Sequence, residues 1–268
     1  FDCYKVGLTA TPVDFIERST YKEFDCHEKW PTYNYGLDEA VEEGYLVPYR
    51  VLMARTQFQI QGIKGRQLPD QLREQLIKEG KNPEDYNFEW SEIGKKIDNK
   101  DTNRAIVREF MEQSYKIEDG LPGKSIIFAM NQAHAEHLQE TFEELYPHLH
   151  NFTVVITSNV ERADQLLKSF KKYKTEKKYR VAISVDMLDT WVDVPEVVNL
   201  VFAKKVLSEA KFWQMVGRGT RLCPNVYGPD LHKTDFLIID FALNFDENHK
   251  FKAPAKQPIS LQQQYFEL

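Results

Sequence analysis

Five short apolar runs constrain this chain more than any other feature: Ile126 to Met130, Phe152 to Ile156, Val181 to Val185, Val197 to Phe202 and Phe236 to Phe241. Each is near-continuously apolar where a half-exposed strand would alternate. That is the pattern of strands buried on both faces, as in a parallel sheet covered by helices. The segments between the first runs have a helical period, with His134, Leu138, Phe142 and Leu145 on one face and Ala163, Leu166, Leu167 and Phe170 on another. Ser158, with Glu161 three residues on, reads as a capping box opening the second helix. Strand, helix, strand repetition at this spacing predicts right-handed crossovers and an α/β domain with helices on both faces of its sheet.

Residues 49–122 break the rhythm. Thr56 to Ile63 alternates like a hairpin strand, Leu68, Leu72, Leu76 and Ile77 mark a short helix, and Asn82-Pro83 and Leu121-Pro122-Gly123 are turn signals. With 41 acidic against 35 basic residues the net charge is −6, so any contact with nucleic acid has to come from local patches. No run reaches the ~18 apolar residues of a membrane span and no basic-then-apolar leader opens the chain, so a cytoplasmic protein with no membrane partner is expected. Cys3, Cys26 and Cys223 are too few and too scattered for a disulfide framework or a zinc set.

The stretch Gln214-Met215-Val216-Gly217-Arg218-Gly219-Thr220-Arg221 carries chemistry. A helix capped by Ser208 and running through all of it places Gln214, Arg218 and Arg221 on one face and Phe212, Met215 and Val216 on the opposite, core-facing one. Two guanidiniums and an amide converging on one spot suit a polyphosphate, because each guanidinium offers a fixed fork of donors that matches phosphate oxygens. The plain alternative is a solvated face of ion-paired arginines.

These residues carry a resemblance. Gln214 to Arg221 matches the Q-x-x-G-R-x-x-R signature, motif VI, of superfamily 2 helicases and translocases. Gly7-Leu8-Thr9-Ala10-Thr11-Pro12 is similar to their motif III, and Val185 to Pro195, ending in Val192-Asp193-Val194-Pro195, to their motif V. The wording of Glu43 to Tyr49, Gly123 to Phe128 and Asn199 to Phe202 resembles the motor (R) subunit of type I restriction enzymes. The resemblance implies a RecA-like (P-loop NTPase type) fold. Residues 1–48 would be the end of the first motor domain and the crossover, 49–122 an insertion or connector, 123–248 the second motor domain, and 249–268 a tail or linker. It also implies an ATP- and Mg²⁺-dependent double-stranded DNA translocase that works with the specificity and methyltransferase subunits of a restriction complex. Coupling of hydrolysis to movement then falls on Thr9 and Thr11, nucleotide contact on Asp193 and Gly217, and γ-phosphate contact on Arg218 and Arg221 with Gln214. Asn131, Ser158 and Thr190 match places where superfamily 2 proteins meet the nucleic-acid backbone, although all three also read as N-caps or turn formers.

The family's phosphate cradle is not spelled here. Gly123-Lys124-Ser125 ends like G-x-x-x-x-G-K-[ST], but Glu118 stands where the first glycine belongs and a strand follows where a helix is required. The triplet reads as the lead-in to that strand. A chain that starts late in the first motor domain, inactive by itself, is the implied consequence. Pro69-Asp70 with Glu79-Gly80-Lys81 spells a nuclease motif, yet the helical period of Leu72, Leu76 and Ile77 favours a surface helix. Lys168, Lys171, Lys172, Lys174, Lys177, Lys178 and Arg180 form one basic run, either a solvated helix end or a phosphate-backbone contact. His134 with His137, and His148 with His150, lack acidic or Cys partners for a metal. Trp191 stands where motif V usually has glycine; it either folds away or, as its neighbours favour, projects into an interdomain cleft. Two other readings stay open: a superfamily 2 helicase or repair translocase without restriction, and a non-catalytic DNA-binding scaffold that keeps the fold.

Overall fold

The computed structural model describes residues 6–7, 23–24, 26, 33–54, 63–64, 77, 87–88, 100–157, 163–172, 176–185, 193–206, 208–242 and 244–245. Its elements are α1 (Leu37–Glu42), β1 (Tyr49–Met53), β2 (Ile63–Lys64), β3 (Asn87–Phe88), α2 (Lys100–Gln113), β4 (Ser125–Phe128), α3 (Gln132–Leu145), β5 (Thr153–Ile156), α4 (Ala163–Lys172), β6 (Val181–Ser184), β7 (Asn199–Phe202), α5 (Glu209–Val216) and β8 (Phe236–Asp240). Six strands form one sheet in the order β1-β8-β7-β4-β6-β5, and every pairing in it is parallel. β2 and β3 pair separately as a short antiparallel ladder.

All five apolar runs are strands of this sheet, and β4 to β8 are buried along their full length. The two-residue period of each strand then sorts its side chains between two cores. Ile126, Phe128, Leu200, Phe202 and Ile238 face Phe170 of α4 and Phe212, Met215 and Val216 of α5. Ile127, Val201 and Ile239 face Leu138 and Phe142 of α3 and Ile106, Val107 and Phe110 of α2. Each fully buried Phe or Ile stabilises the fold by roughly 1.5–3 kcal/mol. From β4 the chain goes first to β5 and β6 on one side and then returns to β7 and β8 on the other, so the strand order reverses beside β4.

Both ends of the 49–122 stretch enter this unit. β1 pairs with β8 from Tyr49↔Phe236 to Met53↔Asp240. α2 lies on α3, where Arg104 and Lys100 both pair with Glu144. The alternating run over Thr56 to Ile63 and the helix over Leu68 to Ile77 lie almost wholly outside the described residues; only Ile63, in β2, and Ile77, helical, are seen.

Arg180 does not belong with the basic surface run. It is 1% exposed: Nη1 donates to both Asp119 oxygens at 3.0 and 2.8 Å, Nε donates to the Glu176 carbonyl at 3.0 Å, and the guanidinium lies over the Phe152 ring. Burial of an arginine requires such a partner. Lys168, Lys172, Lys177 and Lys178 of that run stay exposed. Gly123-Lys124-Ser125 leads into β4, as its context required, and a Cβ on Gly123 would stand 2.5 Å from Val198, so close packing explains this glycine. Among the described residues no helix is long and apolar enough to cross a membrane, and no group of three His, Cys, Asp or Glu could hold a metal ion.

Candidate functional site

α5 is built as its sequence requires. The Ser208 hydroxyl accepts the Lys211 amide at 3.4 Å, and Phe212, Met215 and Val216 are buried against the sheet. The helix does not, however, run on through Arg221. It ends at Val216, and the Arg218 and Gly219 amides reach back only three residues, to Met215 O at 3.1 Å and Val216 O at 3.0 Å. Two glycines in three residues weaken the helix, and a better partner takes over the chain. Thr220 O accepts the Val47 amide at 2.8 Å, and Arg221 forms an antiparallel bridge with Leu46. Gln214 and Arg218 therefore share a helix end, while Arg221 stands on an extended segment beyond it.

Gly219, between the two arginines, has no room for a side chain: a Cβ there would lie 2.3 Å from the Phe236 ring. That ring anchors the start of β8, packs on Tyr49 and is wholly buried. The turn is thus pressed on the amino-terminal ends of β8 and β1 and presents Arg221 outward. Arg221 Nε stands 3.3 Å from Asp193 Oδ1, with the two side chains 57% and 64% exposed. The motif V-like and motif VI-like stretches meet here. Exposed at this level, the pair contributes only about 0–1 kcal/mol to stability. Its value is positional, and a phosphate could take the carboxylate's place on the guanidinium.

Asn131 lies elsewhere, at the carboxyl end of β4. Its side-chain oxygen accepts the His134 amide at 2.9 Å and caps α3. His134 fixes this turn from below, accepting the Met130 amide on Nδ1 at 3.2 Å and, through Nε2, facing Asn103 Oδ1 of α2 at 3.1 Å. Since Nδ1 accepts, Nε2 carries the proton. Burial pushes the imidazole down to about 4. Thr9, Thr11, Ser158, Thr190 and Trp191 fall outside the described residues.

A polar network with no local sequence signal ties the carboxyl ends of β6, β7 and β8. The buried Asp240 carboxylate accepts the Ala242 and Phe245 amides and the Asn244 side-chain amide, all at 3.0 Å. Asn244 also accepts the Val206 amide at 2.9 Å and donates to Lys204 O at 3.1 Å, and Lys204 Nζ donates to Val185 O at 2.5 Å. Burial raises the Asp240 carboxyl, although the hydrogen bonds from Phe245, Ala242 and Asn244 oppose the rise. The chain entering the motif V-like loop at Val185 is therefore held from β8.

Fold and site together define a class: a RecA-like α/β domain of the helicase type, carrying an arginine-bearing turn at one edge. The particular relatives are type I restriction enzymes. The chain is 30% identical over 250 residues to the EcoKI endonuclease subunit of Escherichia coli K12, covering 90% of this chain and 20% of that protein. It is 28% identical over 242 residues to the EcoAI endonuclease subunit of Escherichia coli, covering 88% of this chain and 28% of that one. Among solved structures, the fragment described as an HsdR subunit of a type I restriction enzyme from Vibrio vulnificus YJ016 matches with a TM-score of 0.61 and 26% identity, over 87% of this chain and 38% of that chain. No protein-family model matches. The chain is HsdR-like and spans 20% and 28% of the lengths of these two E. coli relatives.

Proposed function

We propose that this chain supplies the second RecA-like motor domain, with the end of the first, of an ATP-dependent double-stranded DNA translocase in a cytoplasmic type I restriction system. The meeting of Asp193 and Arg221 at 3.3 Å on an exposed edge carries the reading, because it joins two stretches that the family likeness assigns to one nucleotide site. In this reading residues 1–48 are the end of the first domain and the crossover, 49–122 an insertion or connector whose β1 and α2 join the second domain at 123–248, and 249–268 a tail or linker. The residues present fit one side of a nucleotide: guanidiniums at Arg218 and Arg221 to bind phosphate oxygens, Gln214 and Gly217 at the same helix end, and Asp193 to orient Arg221 or touch the nucleotide. ATP with Mg²⁺, cradled elsewhere in the parent, supplies the phosphoryl-transfer chemistry. Thr9 and Thr11 couple that chemistry to movement, and Asn131, Ser158 and Thr190 meet the DNA backbone. The specificity and methyltransferase subunits of the complex are the protein partners.

The test is made in the full-length protein containing this chain. An arginine reaching a transferring phosphoryl group is worth ~10³–10⁵ in rate. Arg221→Ala and Arg218→Ala should each lower DNA-stimulated ATP hydrolysis on that scale without changing the melting temperature, since α5 packs through Phe212, Met215 and Val216. Near-normal turnover in both variants overturns the reading.

A further inference from the structure

Lys233 is 3% exposed, and its ammonium is consumed inside the protein. Nζ donates to Val197 O at 2.5 Å and to Pro195 O at 3.2 Å, and it lies 5.7 Å from the centre of the Phe236 ring. The Lys233 amide donates to Cys223 O at 3.0 Å. Each partner sits beside a residue of the exposed edge. Pro195 is two residues after Asp193, Cys223 is two after Arg221, and Phe236 is the ring on which Gly219 is pressed. The contacts close a ring running from Asp193 to Arg221, on to Cys223, through Lys233, and back by Pro195 to Asp193.

We propose that Lys233 is a positioning residue that fixes the segment carrying Asp193 against the turn carrying Arg218 and Arg221, and so sets where the Arg221 guanidinium points. The proposal rests on the reading of Arg221 as a phosphate-binding group. A buried lysine is an expensive way to join two loops, because an ammonium out of water costs far more than an apolar side chain of the same length. Burial does push this amine down to about 8, with Cys223 and Glu196 acting in the opposite sense. What the amine provides and an apolar residue cannot is several donors on one atom, here directed at two carbonyls of one short loop. A methionine would fill the space and leave that loop free to slide, carrying Asp193 with it.

The experiment uses the full-length protein and its DNA-stimulated ATP hydrolysis. Misplacing a catalytic group by about an ångström costs on the order of 100-fold, so Lys233→Met should lower kcat by about 10- to 100-fold while KM for ATP stays within about twofold. Lys233→Gln, which keeps one amide donor group for the loop, should fall between the two. Combination with Arg221→Lys separates positioning from general damage. If Lys233 acts through Arg221, Lys233→Met in that background adds less than about a twofold further loss. The proposal is overturned by a kcat within twofold of the parent for Lys233→Met, by a rise in KM that accounts for the loss, or by an undiminished further loss in the Arg221→Lys background. Normal turnover of Arg221→Ala sinks the reading of Arg221 as a phosphate-binding group instead, so the two failures are told apart.

Discussion

Burial of the His134 imidazole predicts a fold that loses stability in acid. His134 titrates near 6.5 in an unfolded chain and near 4 in the fold, so between those values the unfolded chain takes up a proton that the folded chain refuses. Stability is therefore complete above pH 6.5 and declines as the pH falls toward 4, by about 1.4 kcal/mol per unit and roughly 3 kcal/mol in all. Urea midpoints measured across that range should show the slope, and His134→Gln should flatten it. An unchanged slope in the variant would place the acid sensitivity elsewhere. The helical spacing of His134 with Leu138 and Phe142 identified the buried face. Its partner Asn103, on another helix, gave no such sign, because a hydrogen-bond partner far along the chain leaves no trace in local periodicity.

At the scale of elements, the end of α5 is decided by a contact and not by propensity alone. Sequence periodicity extends the helix to Arg221, whereas the fold stops it at Val216 and hands the next residues to Leu46 and Val47. Gly219 makes this possible by letting the turn lie directly on Phe236. Gly219→Ala should therefore cost about 1–3 kcal/mol through overpacking, because the Phe236 ring is fully buried beside Tyr49. Chemical denaturation would measure it, and a loss below ~0.5 kcal/mol, the scale of an ordinary surface substitution, would mean that the ring yields. Arg180 teaches a similar lesson. Counted along the chain it joins a run of lysines, but its partner Asp119 comes from the segment after α2, and only the fold brings that carboxylate to it.

On the scale of the whole molecule, the region before residue 123 is the point at issue. α2 covers Ile127, Val201 and Ile239 through Ile106, Val107 and Phe110, and β1 closes one edge of the sheet. If these parts belong to the second motor domain, as proposed, they melt with it. Phe110→Ala should then lower the stability of a single cooperative transition by about 3–5 kcal/mol, followed by circular dichroism and by tryptophan fluorescence together. Two separate transitions, with only the weaker one shifted, would make residues 49–122 an independent insertion. The sequence reading did not single out the α2 face of Ile106, Val107 and Phe110, and a face by itself does not name the surface it covers.

Local pattern by itself determined the strands β4 to β8, the helices between them, the caps at Asn131 and Ser208, and the arginine-bearing stretch, because each is written in neighbours a few residues apart. Tertiary structure alone decided the strand order, the membership of β1 and α2 in the sheet unit, the break in α5, and the pairing of Asp193 with Arg221. It also decided the burial of Arg180, Lys233 and Asp240. For Arg180 and Lys233 the physical reason is that distant parts of the chain, Asp119 and the Pro195 to Val197 loop, supply the partners that a buried cation needs, so the free energy that settles the matter belongs to the contact, not to the residue.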